Sequence, residues 1–464
     1  MSTSVPPTEF CWTPQPAAAA VVHETLESFV DNNSFARQLR DRLLNETGTR
    51  LADWVDHFTL PDDGALKQCL IDSGFAPSHA DDETFWRNGQ GVFPVFRIRH
   101  GSTFQMVLHV DSVADFLFAH EAGTSSNIEG SPFDPVRRAP VSVESEYEVH
   151  VLERHGSQAC DAQCGDAGLD VPRLLEVFRL RRRRFERPAD GFDHVRELIE
   201  STSRQFGTGL VCDLFFQAER EYWQSRNQAA CLQKSRQDAF GLGWGNHDHH
   251  TYRSGRGHFT HLVSVLEALG FVCRERFYAG REAGWGAQVL EQPECQIVVF
   301  ADVDLSPDEI AGDFAHNPLP PGKEPGTVGL WCHLHGESFL EAGMHHLECQ
   351  FDFDQARRQL GDCGIETMQP FTDLPHLRQA FTQGEIWPVD SLRIEAALRE
   401  GLITPGQAEK FQSSGALGSH LELLERNEGY KGFNQSGIND IILQTDPRTA
   451  SRPPGSATQK TSPP

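Results

Sequence analysis

The sequence predicts an α+β fold in which two βαβββ modules fill the C-terminal half and follow an N-terminal α+β domain. One observation is a histidine-rich, β-prone run at residues 246–253, which precedes an amphipathic helical segment and three strand-like segments. The other is that the same order begins again near residue 344, again with a pair of histidines. This repetition predicts two copies of one structural module.

The N-terminal region carries no recognisable chemical motif. We expect residues 1–20, rich in Pro and Ala, to be disordered, and residues 21–235 to form an α+β domain of unassigned role. Strand-like segments at 93–110 and 144–152 would permit a further module there. Helical patterns cover residues 21–56, 172–187, 192–204 and 210–236. An arginine run at 181–184 falls within the second of these helices, where it predicts a solvated face or salt bridges to acidic residues.

The first module spans residues 238–306 and the second spans residues 327–445, with a Pro- and Gly-rich linker between them. A helical insertion at 388–412 interrupts the second module. The Ser-, Thr- and Pro-rich tail at 447–464 predicts disorder. In the first module we expect strands at 248–253, 271–278, 287–290 and 296–301 and a helix at 256–269. In the second we expect strands at 344–351, 365–371 and 419–426, a helix at 354–362 and a closing segment at 432–443.

Composition limits the function classes. The net charge of −25 argues against nucleic acid or anionic membrane as a partner, because both favour a cationic surface. No apolar run approaches the roughly 18–20 residues that span a bilayer. The N-terminus shows no secretory signal, and the 11 cysteines form no regular framework, so we expect reduced thiols and a cytoplasmic location. The sequence also permits a homo-oligomer.

Alternation along three strands selects a candidate metal site, because alternate residues of a strand share one face. The more polar faces select His249 over His250, His346 over His345, and Glu422 over Glu425. His247 shares the selected face but precedes the strand, so it is the reserve histidine, and Asp440 is the reserve carboxylate. Two histidines and one carboxylate are typical of non-haem Fe(II) centres that keep positions open for oxygen and substrate.

Further polar side chains lie near these candidates. Arg253 shares a face with His249 and could hold a substrate carboxylate by a bidentate contact. Thr251, Gln350, Asn434 and Gln435 are candidates for substrate or supporting contacts. The sequence therefore predicts a small carboxylate as the substrate.

Three motifs resemble the vicinal oxygen chelate superfamily, whose module is a paired βαβββ unit. The segment from Leu421 to Asn427, with Gly432-Phe433, resembles the C-terminal element of the 4-hydroxyphenylpyruvate dioxygenase family. The metal-binding glutamate of that element corresponds to Glu422 in this sequence. His345-His346-Leu347, ahead of a helix, looks like the strand of the second histidine. The pattern from Asp248 to Arg253, with its helix and Leu269-Gly270-Phe271, resembles the 2-oxoadipate dioxygenase/decarboxylase family.

The resemblance covers residues 245–445 and implies a function. It implies an Fe(II) dioxygenase that acts on a 2-oxo acid with O2 as co-substrate, with iron on the predicted triad and Arg253 on the substrate carboxylate. The chain departs from the pattern at Asn434, where the family has glycine, in the 388–412 insertion, and in the N-terminal region.

Two other functions remain open from the residues. One is a lyase or isomerase of the same superfamily, in which Zn, Ni or Mn acts as a Lewis acid and Glu348 as the base. The other is a non-catalytic protein that binds a small ligand.

Overall fold

The computed structural model describes residues 12–80, 83–121, 128–132, 134–161, 171–322, 324–434 and 445–448. Its α-helices are α1 Pro16–Asn32, α2 Ser34–Arg42, α3 Gly64–Asp72, α4 Val113–Ala119, α5 Val171–Leu180, α6 Pro188–Phe206, α7 Thr208–Gln224, α8 Gln228–Asp238, α9 Phe259–Ala268, α10 Thr327–His335, α11 Phe353–Asp362, α12 Ser391–Arg399 and α13 Pro405–Ser414. A π-helical turn, Leu43–Thr47, and a 3₁₀ turn, Leu51–Trp54, follow α2.

The strands form two mixed sheets. The N-terminal sheet contains β1 Val55–Pro61, β2 Ala76–Ala80, β3 Glu83–Arg87, β4 Val95–Arg99, β5 Phe104–His109, β6 Val136–Glu144 and β7 Tyr147–Arg154. The C-terminal sheet contains β8 His247–Arg253, β9 Val272–Tyr278, β10 Trp285–Gln292, β11 Ile297–Asp304, β12 His346–Gln350, β13 Thr372–Leu374, β14 Leu377–Phe381, β15 Glu385–Trp387 and β16 Ala416–Arg426. The structure therefore has the predicted α+β fold.

The C-terminal sheet is a pair of βαβββ modules that meet at their first strands. Its order is β13-β14-β16-β12-β8-β11-β10-β9, with β15 also paired to β16. In each module the first strand runs parallel to the last, β8 beside β11 and β12 beside β16. The two first strands, β8 and β12, are antiparallel neighbours. This arrangement puts the predicted ligand strands β8, β12 and β16 side by side.

The N-terminal sheet repeats this topology. Its order among the described residues is β2-β3-β4-β1-β5-β7-β6. The unit β1-α3-β2-β3-β4 is again βαβββ with parallel first and last strands, and β1 meets β5 in antiparallel fashion. A second unit, β5-α4-β6-β7, follows with β5 parallel to β7. The N-terminal region is therefore built from the same kind of module.

Helices α5 to α7 belong to the core of the C-terminal sheet. Side chains such as Phe178, Val195 and Phe215 are buried together with Leu262, Leu347 and other residues of that sheet's helix-covered face. A separate core lies under the N-terminal sheet. The hydrophobic core therefore crosses the boundary expected at residue 235.

Several expected elements differ from the structure. Helix α1 begins at Pro16, within the segment expected to be disordered, and α5 ends at Leu180 rather than at 187. The strand expected at 365–371 is replaced by the hairpin β13–β14, because Pro370 has no backbone N–H for a sheet ladder. The insertion expected at 388–412 contains α12 and α13.

Helix α10 lies at the start of the second module, where the sequence indicated no helix. It is buried around most of its surface, so its residues show no amphipathic period.

No helix among the described residues combines the length and the apolar character needed to cross a membrane. The described cysteines are free thiols, and Cys164 lies outside the described residues. Most of the tail at 447–464 also lies outside them.

Candidate metal centre

Three adjacent strands bring the predicted ligands together. Glu348 of β12 lies opposite His249 of β8 on one side and Glu422 of β16 on the other. Alternate side chains of these strands, such as Leu347 and Leu421, enter the hydrophobic core beneath the helices. The intervening side chains project to the opposite face of the sheet.

His249, His346 and Glu422 are buried, and one potential ligand atom from each lies within 4.8 Å of the others. His346 Nε2 is 3.0 Å from Glu422 Oε2. Burial, with the charges of His249 and Arg253, holds the pKa of His346 well below its usual range. Burial raises the pKa of Glu422 to about 8. Neutral imidazoles and a carboxylate are suitable donors for a divalent metal, and a cation would offset the cost of burying the carboxylate.

Hydrogen-bonding partners hold the two imidazoles with their Nε2 atoms toward the site. Asp248 Oδ1 is 3.2 Å from His249 Nδ1. Arg426 donates to both oxygens of Asp248, at 2.8 and 3.0 Å. His345 Nδ1 lies 2.8 Å from His346 Nδ1. Such contacts to the second ring nitrogen fix the tautomer and orientation of metal-binding histidines.

Glu348 is a second carboxylate in the site. Its Oε2 lies 3.3 Å from His249 Nε2, and its side chain has no solvent exposure. Gln379 donates to Glu348 at 3.3 Å and to Glu422 at 3.2 Å, so it links the two carboxylates. Burial and the neighbouring Glu422 raise the pKa of Glu348 well above its usual range. Strand alternation indicated Glu348, but Gln379 lies on a strand that the sequence did not predict.

A β-bulge in β8 decides which neighbouring side chains reach the site. The register shifts between the pairs Glu348–His249 and Cys349–His247. This shift puts Asp248 beside His249 and turns His247 toward Trp244, whose carbonyl oxygen lies 2.9 Å from His247 Nδ1. The expectation that His247 shares the site face was therefore wrong, because strict alternation does not hold across a bulge.

The other rejected histidines have different surroundings. His250 contacts Phe216 in the helix-side core, as alternation predicts. His345 was expected on that side too, but it precedes the first residue of β12 and packs against Trp331 and His420 on the site face. It does not line the site cavity. Asp440 lies outside the described residues.

The cavity beside the ligands is small and mostly aromatic. It has a volume of about 60 Å³. Its aromatic walls are Phe277, Trp285, Phe300, Phe371, Phe381 and Phe433. Phe300 lies opposite Thr251 in the parallel β8–β11 pair, so the strand register points its ring toward the ligands. Sequence reasoning missed this lining, although alternation along β11 from Phe300 to Asp302 could have indicated it.

The predicted substrate contacts fall in three groups. Thr251 and Asn434 line the cavity. Gln350 does not line it, and instead donates to Asp248 at 3.3 Å. Gln435 lies outside the described residues.

Arg253 is buried behind the cavity rather than in its wall. Its Nε lies 3.7 Å from Asp302 Oδ2, and Asp302 does line the cavity. Its Nε and Nη1 atoms have no hydrogen-bond partner within the part of the chain that the structure describes. Burial raises the pKa of Asp302 to about 7, although Arg253 lowers it.

Comparison with known proteins gives only distant similarities to solved structures. No protein-family model and no curated protein matches the chain. A triple variant of 4-hydroxymandelate synthase from Streptomyces coelicolor aligns with 85% of this chain and 98% of its own, at 13% identity and a TM-score of 0.30. Methylmalonyl-CoA epimerase from Mycobacterium tuberculosis aligns with 39% of this chain and 89% of its own, at 14% identity and a TM-score of 0.22.

A further solved structure is a fusion of a xylose isomerase-like TIM barrel with 4-hydroxyphenylpyruvate dioxygenase. It aligns with 88% of this chain and 56% of its own, at 10% identity and a TM-score of 0.23. The strand order itself defines the fold, in which paired βαβββ modules meet at antiparallel first strands.

Proposed function

We propose that the chain is a metal-dependent enzyme of the vicinal oxygen chelate type, and more specifically an Fe(II) dioxygenase that acts on a 2-oxo acid. The observation that carries this proposal is the convergence of His249, His346 and Glu422 within 4.8 Å in a buried site. Fe(II) bound there would supply the positions at which a 2-oxo acid and O2 meet.

The protein groups around these ligands have distinct roles in this proposal. The aromatic walls exclude water, which strengthens electrostatic contacts in the site. Thr251 and Asn434 offer hydrogen-bonding groups to a substrate at the cavity wall. Arg253 would orient a substrate carboxylate. This role requires the Asp302 side chain to move away from the Arg253 guanidinium, which it now contacts.

Lyase or isomerase chemistry with Zn, Ni or Mn is the second candidate, and one observation favours it. Glu348 stands 3.3 Å from His249 Nε2, and its Oε1 has no hydrogen-bond partner among the described residues. A buried carboxylate beside the metal ligands could remove a proton from a metal-bound substrate. The identity of the metal and the uptake of oxygen distinguish the two candidates.

The test is the metal content of protein purified without chelator, for the wild type, Glu422→Ala and Glu425→Ala. Glu425 is the matched control, since it lies on the same strand and accepts a hydrogen bond from the Phe353 amide instead of facing the site. We expect about one iron per chain in the wild type and the control and none in Glu422→Ala. Oxygen uptake with a series of 2-oxo acids then tests the reaction.

Other outcomes separate the alternatives. Stoichiometric zinc, nickel or manganese that depends on Glu422, without oxygen uptake, would favour the lyase or isomerase. If neither the wild type nor the control retains metal after anaerobic Fe(II) reconstitution, the metalloenzyme proposal is wrong. A non-catalytic ligand-binding protein would then be the better description.

A further inference from the structure

A second, larger cavity lies on the other side of β8 from the metal centre. Its volume is about 520 Å³, within the range of small-molecule sites. Residues following β5 and β7, helices α5 and α7, and the segment leading into β8 line it. His247, which the β-bulge turns away from the metal centre, is part of its wall.

Most cations of this cavity have an acidic partner. Arg137 pairs with Glu153, and Arg179 pairs with Glu221. Arg154, His155 and Lys234 also have carboxylate partners. Three acidic side chains of the cavity wall, Glu153, Asp213 and Glu221, are thus paired with its own cations.

Arg220 is different. It is 9% exposed, and within the described residues no carboxylate forms an ion pair with its guanidinium. Its hydrogen bond runs from Nη1 to His250 Nε2, at 3.4 Å. A buried guanidinium carries five N–H donors, and leaving a buried charge without a counter-ion is costly.

The neighbouring histidines leave this charge uncompensated. An imidazole is either neutral or cationic, so neither His247 nor His250 supplies a negative charge. His247 Nδ1 donates to the Trp244 carbonyl oxygen. Arg220 is therefore a positive centre that its neighbouring histidines do not neutralise.

We propose that this cavity is a second ligand site, separate from the metal centre, that binds a small monocarboxylate through Arg220. A carboxylate matches the planar guanidinium and supplies the missing counter-charge. The carboxylates of Asp111, Glu176 and Glu294 also line the cavity and would repel a ligand of higher negative charge. The rest of the ligand would meet neutral groups, including Gln217, Gln224 and Trp244.

The test uses benzoate as the probe and the full-length protein as purified. Saturation-transfer NMR measures its dissociation constant for the wild type, Arg220→Gln and Arg253→Gln. Arg253 is the matched control, because it is also a buried arginine but lies behind the metal-site cavity. We expect at least a tenfold weaker affinity in Arg220→Gln, from the loss of charge-assisted hydrogen bonds, and an unchanged affinity in Arg253→Gln.

Three results would overturn the inference. These are an unchanged affinity in Arg220→Gln, a loss confined to Arg253→Gln, and a wild type that shows no saturable binding. The loss confined to Arg253→Gln would place benzoate at the metal centre. If Arg220→Gln does not fold, the wild type is crystallised and soaked in benzoate instead. Electron density for benzoate at the Arg220 guanidinium would support the proposal, and the absence of that density would contradict it. None of these outcomes depends on the metal or on the proposed dioxygenase activity.

Discussion

Replacing Asp248 by asparagine is expected to weaken metal binding although Asp248 is not one of the three proposed ligands. Its carboxylate lies 3.2 Å from His249 Nδ1 and accepts two hydrogen bonds from Arg426, at 2.8 and 3.0 Å. The substitution keeps the shape of the side chain but removes its charge. His249 then loses the anion that orients its ring, and the buried Arg426 loses its counter-ion.

Two magnitudes follow from these contacts. Loss of a group that orients a metal-binding histidine lowers metal affinity by about 10- to 100-fold. Removal of one partner of a buried ion pair costs about 3–5 kcal/mol in the free energy of unfolding. Burial alone would raise the pKa of Asp248, but Arg426 and His249 hold it far below its usual value. The loss of unfolding free energy in Asp248→Asn, relative to the wild type, is therefore largest above about pH 4 and decreases as the pH falls further.

The assay is Fe(II) affinity by anaerobic competition with a chelator, combined with urea unfolding of the metal-free protein at several pH values. Asp302→Asn is the matched control, since Asp302 is another buried acid beside an arginine, Arg253, but makes no hydrogen bond to a proposed ligand. The control should bind Fe(II) within about threefold of the wild type. Equal affinities for the wild type and Asp248→Asn would refute the orienting role. A fall of the same size in both variants would point to a general electrostatic effect instead.

Two further predictions concern ion pairs away from the metal centre. Glu219→Gln should lower the free energy of unfolding by about 3–5 kcal/mol, because buried Glu219 pairs with buried Arg181. The control Glu221→Gln removes the more exposed ion pair with Arg179 and should lower it by less than about 1 kcal/mol. Equal losses for the two variants in urea unfolding would contradict this prediction. His155→Gln should remove a pH-dependent stabilisation of at most about 5 kcal/mol. Burial lowers the pKa of His155, but its hydrogen bonds to the carboxylates of Asp213 and Glu153 outweigh burial and raise that pKa to about 10. That stabilisation is complete below about pH 6.5 and is lost as the pH rises toward 10, so a stability difference independent of pH across this range would show the assignment to be wrong.

Local sequence patterns were sufficient for the strands that carry the proposed ligands. Alternation of polar and apolar residues distinguished His249 from His250 and Glu422 from Glu425, because one face of each strand must enter the core. The same reasoning failed at His247 and His345. One is displaced by a bulge and the other precedes its strand, and neither feature has a signature in the side-chain pattern.

Elements without a clear period were harder to predict. Helix α10 is buried around most of its surface, and β14, which carries Gln379, is a short strand beyond a proline-containing turn. The modular organisation of the N-terminal sheet was also hidden, because it lies in the pairing of distant strands and not in any local motif.

The sequence by itself determined the α+β class, the repeated module of the C-terminal half, and the identities of His249, His346 and Glu422 as candidate ligands. These depend on the spacing of residues along single strands, which the linear pattern records. Only the tertiary structure decided that Gln379 links Glu348 to Glu422, that Arg253 lies behind Asp302, and that Arg220 faces a separate cavity. Each of these depends on which strands and helices become neighbours, and side chains far apart in the chain meet only when the sheet and its helices have packed.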